Sequence, residues 1–337
     1  GFWGFFNLIM RRSEANMKAL IFDNGLKLDE NYKEPVLKKG EALIKTTYAG
    51  VCNTDEEITK GYMGYKGVLG HEFTGVVEKV FDEADKHWIG KRVVGEINAG
   101  CKNCEWCAKG LERHCPNRGT LGIWQKEGCF SEYFTLPVSN LLEIPHSVSD
   151  ETAVFIEPLA AAYEIIEQVH IKPTDKVALL GDGKLGLSIA LVLGALNIDI
   201  THIGKHQNKL DISANASNKT LLLDDIKGLE QSFDIVIEAT GSKGGFETSL
   251  NLVKPRGILV LKSTIAASEG LNLAPVVINE ITVVGSRCGQ FAPVMRLLER
   301  GVIDVKPLIT KILPFNQGVE AFELNRNKDT LKVILKF

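Results

Sequence analysis

The sequence predicts an α/β protein in two parts, a β-rich first part and a doubly wound parallel sheet. Three observations predict it. The chain has 337 residues, enough for about two domains. Residues 17–48 read as short strands broken by turns of glycine and charge. After residue 150 the pattern changes to buried strands alternating with helices, and a glycine-rich turn stands between the first such strand and its helix.

Taken in order, the chain opens on an oily run, Gly1-Phe-Trp-Gly-Phe-Phe-Asn-Leu-Ile-Met10, followed by Arg11-Arg12. The run is too short to span a bilayer, and its positive charge follows the apolar stretch, whereas a secretory signal has charge first. The fold pattern begins at Met17-Lys-Ala-Leu-Ile-Phe22. Residues 1–16 therefore read as an extension outside the fold, with a truncated targeting segment as the alternative. A net charge of −3 gives no reason to expect nucleic acid or an anionic membrane as partner.

Residues 18–22 and 42–48 have strand composition. Two glycine-flanked loops follow, Gly50-Val-Cys52-Asn-Thr54-Asp55 and Gly70-His71-Glu72-Phe-Thr-Gly75. A thiol, an imidazole and carboxylates in such loops suit an exposed metal site. Singly they are ordinary, since a lone cysteine is more often a small hydrophobe.

Next, Cys101, Cys104, Cys107 and Cys115 crowd into one lobe at gaps of two, two and seven residues. As thiolates they complete a closed tetrahedral shell, the usual structural zinc site. A pair of disulfides is the weaker reading, because a chain of this size builds its own core. A redox Cys-x-x-Cys does not explain three evenly spaced thiols, and an iron–sulfur cluster is the remaining alternative. With most cysteines read as metal ligands, a reducing, cytoplasmic setting is expected.

From residue 150 to 169 the chain reads as one helix with acids in its first turn. Residues 176–180 form a buried strand that runs into Gly181-Asp-Gly183-Lys184-Leu185-Gly186 and an apolar helix to about residue 196. In a dinucleotide site the first glycine makes the tight turn, the second lets backbone approach pyrophosphate, and the third packs helix on strand. The second strand, 198–203, ends in Gly204-Lys205-His206, where an NAD enzyme usually carries an acid for the ribose hydroxyls. With no acid there, Lys205 and His206 are free to pair with a 2′-phosphate, and NADP is expected ahead of NAD. Later strands follow at 234–239, 257–261 and 281–284, with Thr240 at a strand end where ligands bind open sheets.

Gly-Val-Cys-x-Thr-Asp, Gly-His-Glu-Phe-x-Gly-x-Val and the four-cysteine lobe together resemble the zinc-containing medium-chain alcohol dehydrogenase superfamily, over about residues 17–337. The resemblance implies a GroES-like β-rich catalytic domain and a Rossmann domain, with the active site in the cleft between them. It implies Cys52 and His71 as catalytic zinc ligands, Thr54 as the hydroxyl that relays the substrate proton, and Asp55 as the carboxylate that orients the ligand imidazole. Glu72 matches a glutamate that binds zinc directly or through water. Glu157-Pro158-Leu-Ala160 resembles the polyol, sugar and threonine dehydrogenase branch, whose glutamate serves as the further ligand. Lys332, in a C-terminal return strand, matches a basic residue that reaches pyrophosphate.

The expected domains are 17–150, carrying the structural-zinc lobe at 100–116, then 151–288 for the coenzyme and 289–337 as a return to the first domain. The expected function is hydride transfer between a small alcohol (or its aldehyde or ketone) and NADP or NAD, with two zinc ions per chain, in a homo-oligomer, dimer or tetramer. The alternatives are a zinc-independent enone or quinone reductase of the same superfamily, and a non-catalytic nucleotide-binding protein.

Overall fold

The computed structural model describes residues 16–264 and 270–337. The extension expected over residues 1–16 lies outside the described residues, save for Asn16. The chain divides into two compact units: residues up to Val154 with Thr310–Phe337, and Phe155–Ile309.

The first unit is built on an antiparallel sheet centred on β1 (Glu41–Gly50). A helix, α1 (Asn53–Thr59), follows almost at once. β2 (Glu72–Val80) pairs antiparallel with β1, setting Gly50 opposite Glu72 and Ala49 opposite Phe73. That register has a chemical consequence. The loop leaving β1 carries Cys52 and the loop entering β2 carries His71, so pairing the strands brings the two loops to one end of the sheet. The C-terminal strand Lys332–Lys336 pairs with β1 on its other side, placing Ile334 opposite Gly50. Alternation sends Phe73 and Val77 of β2 into the core, where Phe73 meets Phe134 edge to face at 4.7 Å.

The second unit opens with α2 (Ile156–Gln168), then β3 (Val177–Leu180), α3 (Lys184–Ala195), β4 (Ile200–Gly204) and β5 (Lys219–Leu222). It continues through β6 (Phe233–Glu238), β7 (Val253–Leu261) and β8 (Thr282–Gly285) to α4 (Phe291–Glu299). The six strands form one parallel sheet in the order β5-β4-β3-β6-β7-β8. This is the doubly wound order, and the order reverses between β3 and β6, where the carboxyl ends of open sheets bind ligands. All four residues of β3 are buried, as a central parallel strand requires.

Two boundaries differ from the sequence expectation. The single helix expected over 150–169 is two, Asp150–Ala153 and Ile156–Gln168. Ser149 caps the first by accepting from the Thr152 amide, and Pro158, which has no amide hydrogen to give, must lie in a first turn, so the helix restarts just ahead of it. The chain returns to the first unit at Thr310 and not at 289. Residue 289 is held in the second unit by close packing, for a Cβ there would stand 2.0 Å from the Ala160 carbonyl oxygen of α2. Among the described residues no helix is long and apolar enough to cross a membrane.

Candidate functional site

The four-cysteine lobe gathers as its spacing predicts. One sulfur each from Cys101, Cys104, Cys107 and Cys115 lies within 4.8 Å of the others. All seven cysteines are free. Backbone amides face the sulfurs: Asn103 N donates to Cys101 Sγ at 3.5 Å and Cys101 N to Cys115 Sγ at 3.4 Å. The Asn103 amide, then the Cys115 thiol and the Cys104 thiol and amide, lower the Cys101 pKa to about 7, while burial pushes Cys107 up to about 11. Gly100 is needed here because a Cβ would stand 2.7 Å from Cys107 Sγ. Four converging sulfurs leave no space for a fifth ligand, which is the character of a structural metal site.

At the end of β1 and β2 a second donor group forms. Cys52, His71 and Glu72 each present one ligand atom within 4.8 Å of the other two. His71 and Glu72 are buried and Cys52 is half-buried. Asp55, wholly buried in the first turn of α1, accepts from the Cys52 amide at 2.8 Å through Oδ2. Its Oδ1 lies 3.3 Å from His71 Nδ1, off the hydrogen-bonding direction, and neither atom has another partner. Burial opposes protonation of His71, but the Asp55 carboxylate and the Cys52 thiol outweigh it and hold the imidazole pKa well above its usual range. An anionic pocket that draws a proton onto a buried imidazole also suits a metal cation. The donor set of sulfur, nitrogen and oxygen is one that zinc accepts. Thr54 stands beside Asp55 in α1, half-buried.

Glu157 sits in the first turn of α2, in the second unit, and is partly exposed. The donor group of the first unit assembles without it. Lys332 lies in the C-terminal strand that flanks β1. Its ammonium is buried and donates to Glu72 Oε2. Gly50 makes room for the pair, since a Cβ there would stand 2.6 Å from Glu72 Oε2 and 3.3 Å from Lys332 Cδ.

In the second unit the three glycines divide their tasks by geometry. Gly181 has φ +118° and its absent Cβ would meet the Ala239 carbonyl oxygen at 2.7 Å. Gly186 lies so near Gly181 that a Cβ would reach the carbonyl oxygen at 1.8 Å. Gly183, the residue before α3, has open space within 4 Å of where its Cβ would be. That opening at a helix N-terminus suits an approaching phosphate. Lys184 and Leu185 form the first turn of α3.

Gly204 ends β4, as expected, but the place is not free of acid. A Cβ on Gly204 would stand 2.6 Å from Cβ and Oδ2 of Asp182. Asp182 Oδ2 accepts from the amides of Lys205 and His206, both at 2.7 Å, and from His206 Nδ1 at 3.0 Å. Lys205 is exposed and His206 partly so. The premise of NADP preference, an absent acid at this strand end, therefore fails.

Two further residues carry structure that the sequence reading passed over. Buried His202 bonds to the Gly181 carbonyl oxygen through Nε2 at 2.7 Å, holding the glycine turn. Burial lowers its pKa, so the neutral ring donates. Glu238, fully buried at the end of β6, accepts from Thr240 N at 2.7 Å and from the Ser263 hydroxyl at 2.7 Å. It thereby fixes Thr240 and Ser263 at adjacent strand ends. A polar residue inside or closing a hydrophobic strand is the available signal for His202 and Glu238, but it does not name the partner.

Comparison with known proteins agrees with both units. Residues 38–146 match the alcohol dehydrogenase GroES-like domain, and residues 183–300 match the zinc-binding dehydrogenase domain. The chain is 27% identical to L-threonine 3-dehydrogenase of Vibrio vulnificus over 90% of this chain and 93% of that one. It is 26% identical to D-arabinitol dehydrogenase 1 of Uromyces fabae over 90% of this chain and 91% of that one. Among solved structures, the alcohol dehydrogenase rspB of Escherichia coli CFT073, complexed with NADH, superposes with a TM-score of 0.87 at 26% identity, covering 95% of this chain and 99% of that one.

Proposed function

Because the chain belongs to the zinc-containing medium-chain alcohol dehydrogenase superfamily and is a zinc- and NAD(P)-dependent oxidoreductase, we propose that Cys52, His71 and Glu72 hold its catalytic zinc. The observation that carries this is the convergence of three donor atoms within 4.8 Å, backed by a buried Asp55. Asp55 keeps the His71 ring in one orientation and balances charge behind it. Thr54 takes the proton leaving the substrate hydroxyl and passes it outward. When bound, zinc would supply Lewis acidity toward an alcohol oxygen and the nicotinamide coenzyme would supply a hydride acceptor. Gly183 and the amides at the start of α3 receive the coenzyme phosphates, and Thr240 borders the coenzyme at the end of β6.

The substrate we propose is a secondary alcohol with a neighbouring hydroxyl or amine. Its support is the kinship to threonine and arabinitol dehydrogenases, whose named substrates share that unit. A homo-oligomer, dimer or tetramer, is the proposed assembly, supported by Val277 and Ile278, 78% and 76% exposed ahead of the edge strand β8. The free cysteines support a reducing, cytoplasmic compartment.

Elemental analysis of purified protein should give two zinc ions per chain. Mild chelation should remove one first and abolish turnover of threonine, arabinitol or sorbitol while circular dichroism is unchanged. One zinc in fully active protein, or turnover that survives loss of the first ion, would defeat the assignment.

A further inference from the structure

The end of β4 is where the acid that binds the adenosine ribose ordinarily stands. Here the strand ends in Gly204, and the volume its side chain would fill is taken by the carboxyl group of Asp182: Cβ and Oδ2 lie 2.6 Å, and Cγ 2.8 Å, from the position of a Gly204 Cβ. The two residues come from different elements, the glycine-rich loop and the second strand, yet deliver a carboxylate to the same point. We propose that Asp182 is the ribose-binding and coenzyme-selecting carboxylate of this enzyme, accepting from the adenosine ribose hydroxyls of NAD and turning away the 2′-phosphate of NADP. The inference rests on the reading that this sheet binds a dinucleotide.

The bonding of the two oxygens fits that role. Oδ2 is held by three donors, the amides of Lys205 and His206 and His206 Nδ1. Oδ1 has no hydrogen-bond partner among the described residues, and the side chain keeps 11% of its surface exposed, so a second acceptor is left on a carboxylate that cannot turn away. Burial disfavours the charge, but the His206 amide and ring and the Lys205 amide more than offset it, so the group stays ionised at neutral pH. A ribose diol can donate to such an oxygen, whereas a phosphate ester at the 2′-oxygen brings like charge to a fixed anion.

The cations nearby do not reverse this. His206 Nδ1 is already turned to Asp182, and Lys205 is exposed, where an ion pair is weakened by water and salt. Gly204 is then required not to leave the strand end empty but to admit Asp182.

The test uses the zinc-loaded full chain and compares dissociation constants for NADH and NADPH by fluorescence. The wild type should bind NADH about tenfold or more tightly than NADPH, the scale of one charge-assisted hydrogen bond. NADPH bound as well as NADH would overturn the proposal, and binding of neither would overturn the dinucleotide reading along with it. Asp182→Asn should weaken NADH about tenfold with NADPH unchanged or tighter. An equal loss for both coenzymes would mean that Asp182 only braces the loop, and would overturn the selecting role. Should that variant fold poorly, the wild type decides alone: ADP-ribose lacking the adenosine 2′-hydroxyl should bind about tenfold more weakly than ADP-ribose, and equal affinity would overturn the proposal.

Discussion

The ammonium of Lys332 donates to Oε2 of Glu72 inside the first unit, joining residues 260 apart in sequence, and both side chains are almost wholly buried. β1 brings them together because it pairs with β2 on one side and with the C-terminal strand on the other. Removing one member of a buried ion pair leaves an uncompensated charge and costs about 3–5 kcal/mol, whereas replacing both with apolar groups is often near neutral. Lys332→Met should therefore lower thermal stability of metal-free protein markedly, and Glu72→Leu added to it should recover much of the loss. Calorimetry of the two single variants and the double variant measures the coupling. Additive losses would show that the pair contributes nothing as a pair.

Thr54 is asked only to move a proton, and positioned acid–base groups contribute about 10²–10⁴-fold. Thr54→Ala should lower kcat by that order while the dissociation constant for the coenzyme stays within about twofold. Thr54→Ser, which keeps the hydroxyl, should restore most of the rate. Wild-type turnover in the alanine variant at neutral pH would remove Thr54 from the proton path.

His202 ties acid stability to the glycine turn. Burial depresses its pKa below the ordinary 6.5, and the neutral ring donates to Gly181. The unfolded chain thus binds a proton in a pH window where the folded chain does not. Stability from this group is complete above about pH 6.5 and is lost as pH falls toward the depressed value, at up to about 1.4 kcal/mol per pH unit. His202→Gln keeps a donor but does not titrate. Its unfolding midpoint should fall less steeply than the wild type's between pH 6.5 and 5, and parallel curves would exclude His202 as a source of that slope.

Much of this was legible in the sequence, for identifiable reasons. Cys101, Cys104, Cys107 and Cys115 are local, so spacing alone assembles them. The glycine turn at 181–186 is local too, and strand–turn–helix order carries it. What spacing cannot reach is register. That Lys332 meets Glu72 depends on which strands flank β1, and nothing near residue 332 in the chain reveals it. Asp182 was visible as a letter inside the glycine motif, but its place at the end of β4 follows only once β3 and β4 are known to pair with Leu180 beside Ile203. Expecting no acid at Gly204 was sound for its own strand and failed because a neighbouring loop supplied one.

The last prediction separates two glycines that look alike in the motif. Gly186 has no room: a Cβ would fall 1.8 Å from the Gly181 carbonyl oxygen, and that backbone is already held by His202. Gly183 faces open space and has φ −77°, which any residue adopts. Gly186→Ala should therefore damage the fold, since forcing a methyl into packed backbone costs about 1–3 kcal/mol or more. Gly183→Ala should leave the melting temperature of coenzyme-free protein within about 1 °C, because a Gly-to-Ala change without a clash acts mainly on the unfolded chain. Yet it should weaken NADH at least about tenfold, since the methyl would stand where the pyrophosphate approaches the start of α3. Calorimetry and NADH titration of the two variants read the two roles separately. A Gly183→Ala protein that binds NADH normally would mean that the open space above Gly183 is not where the coenzyme lies.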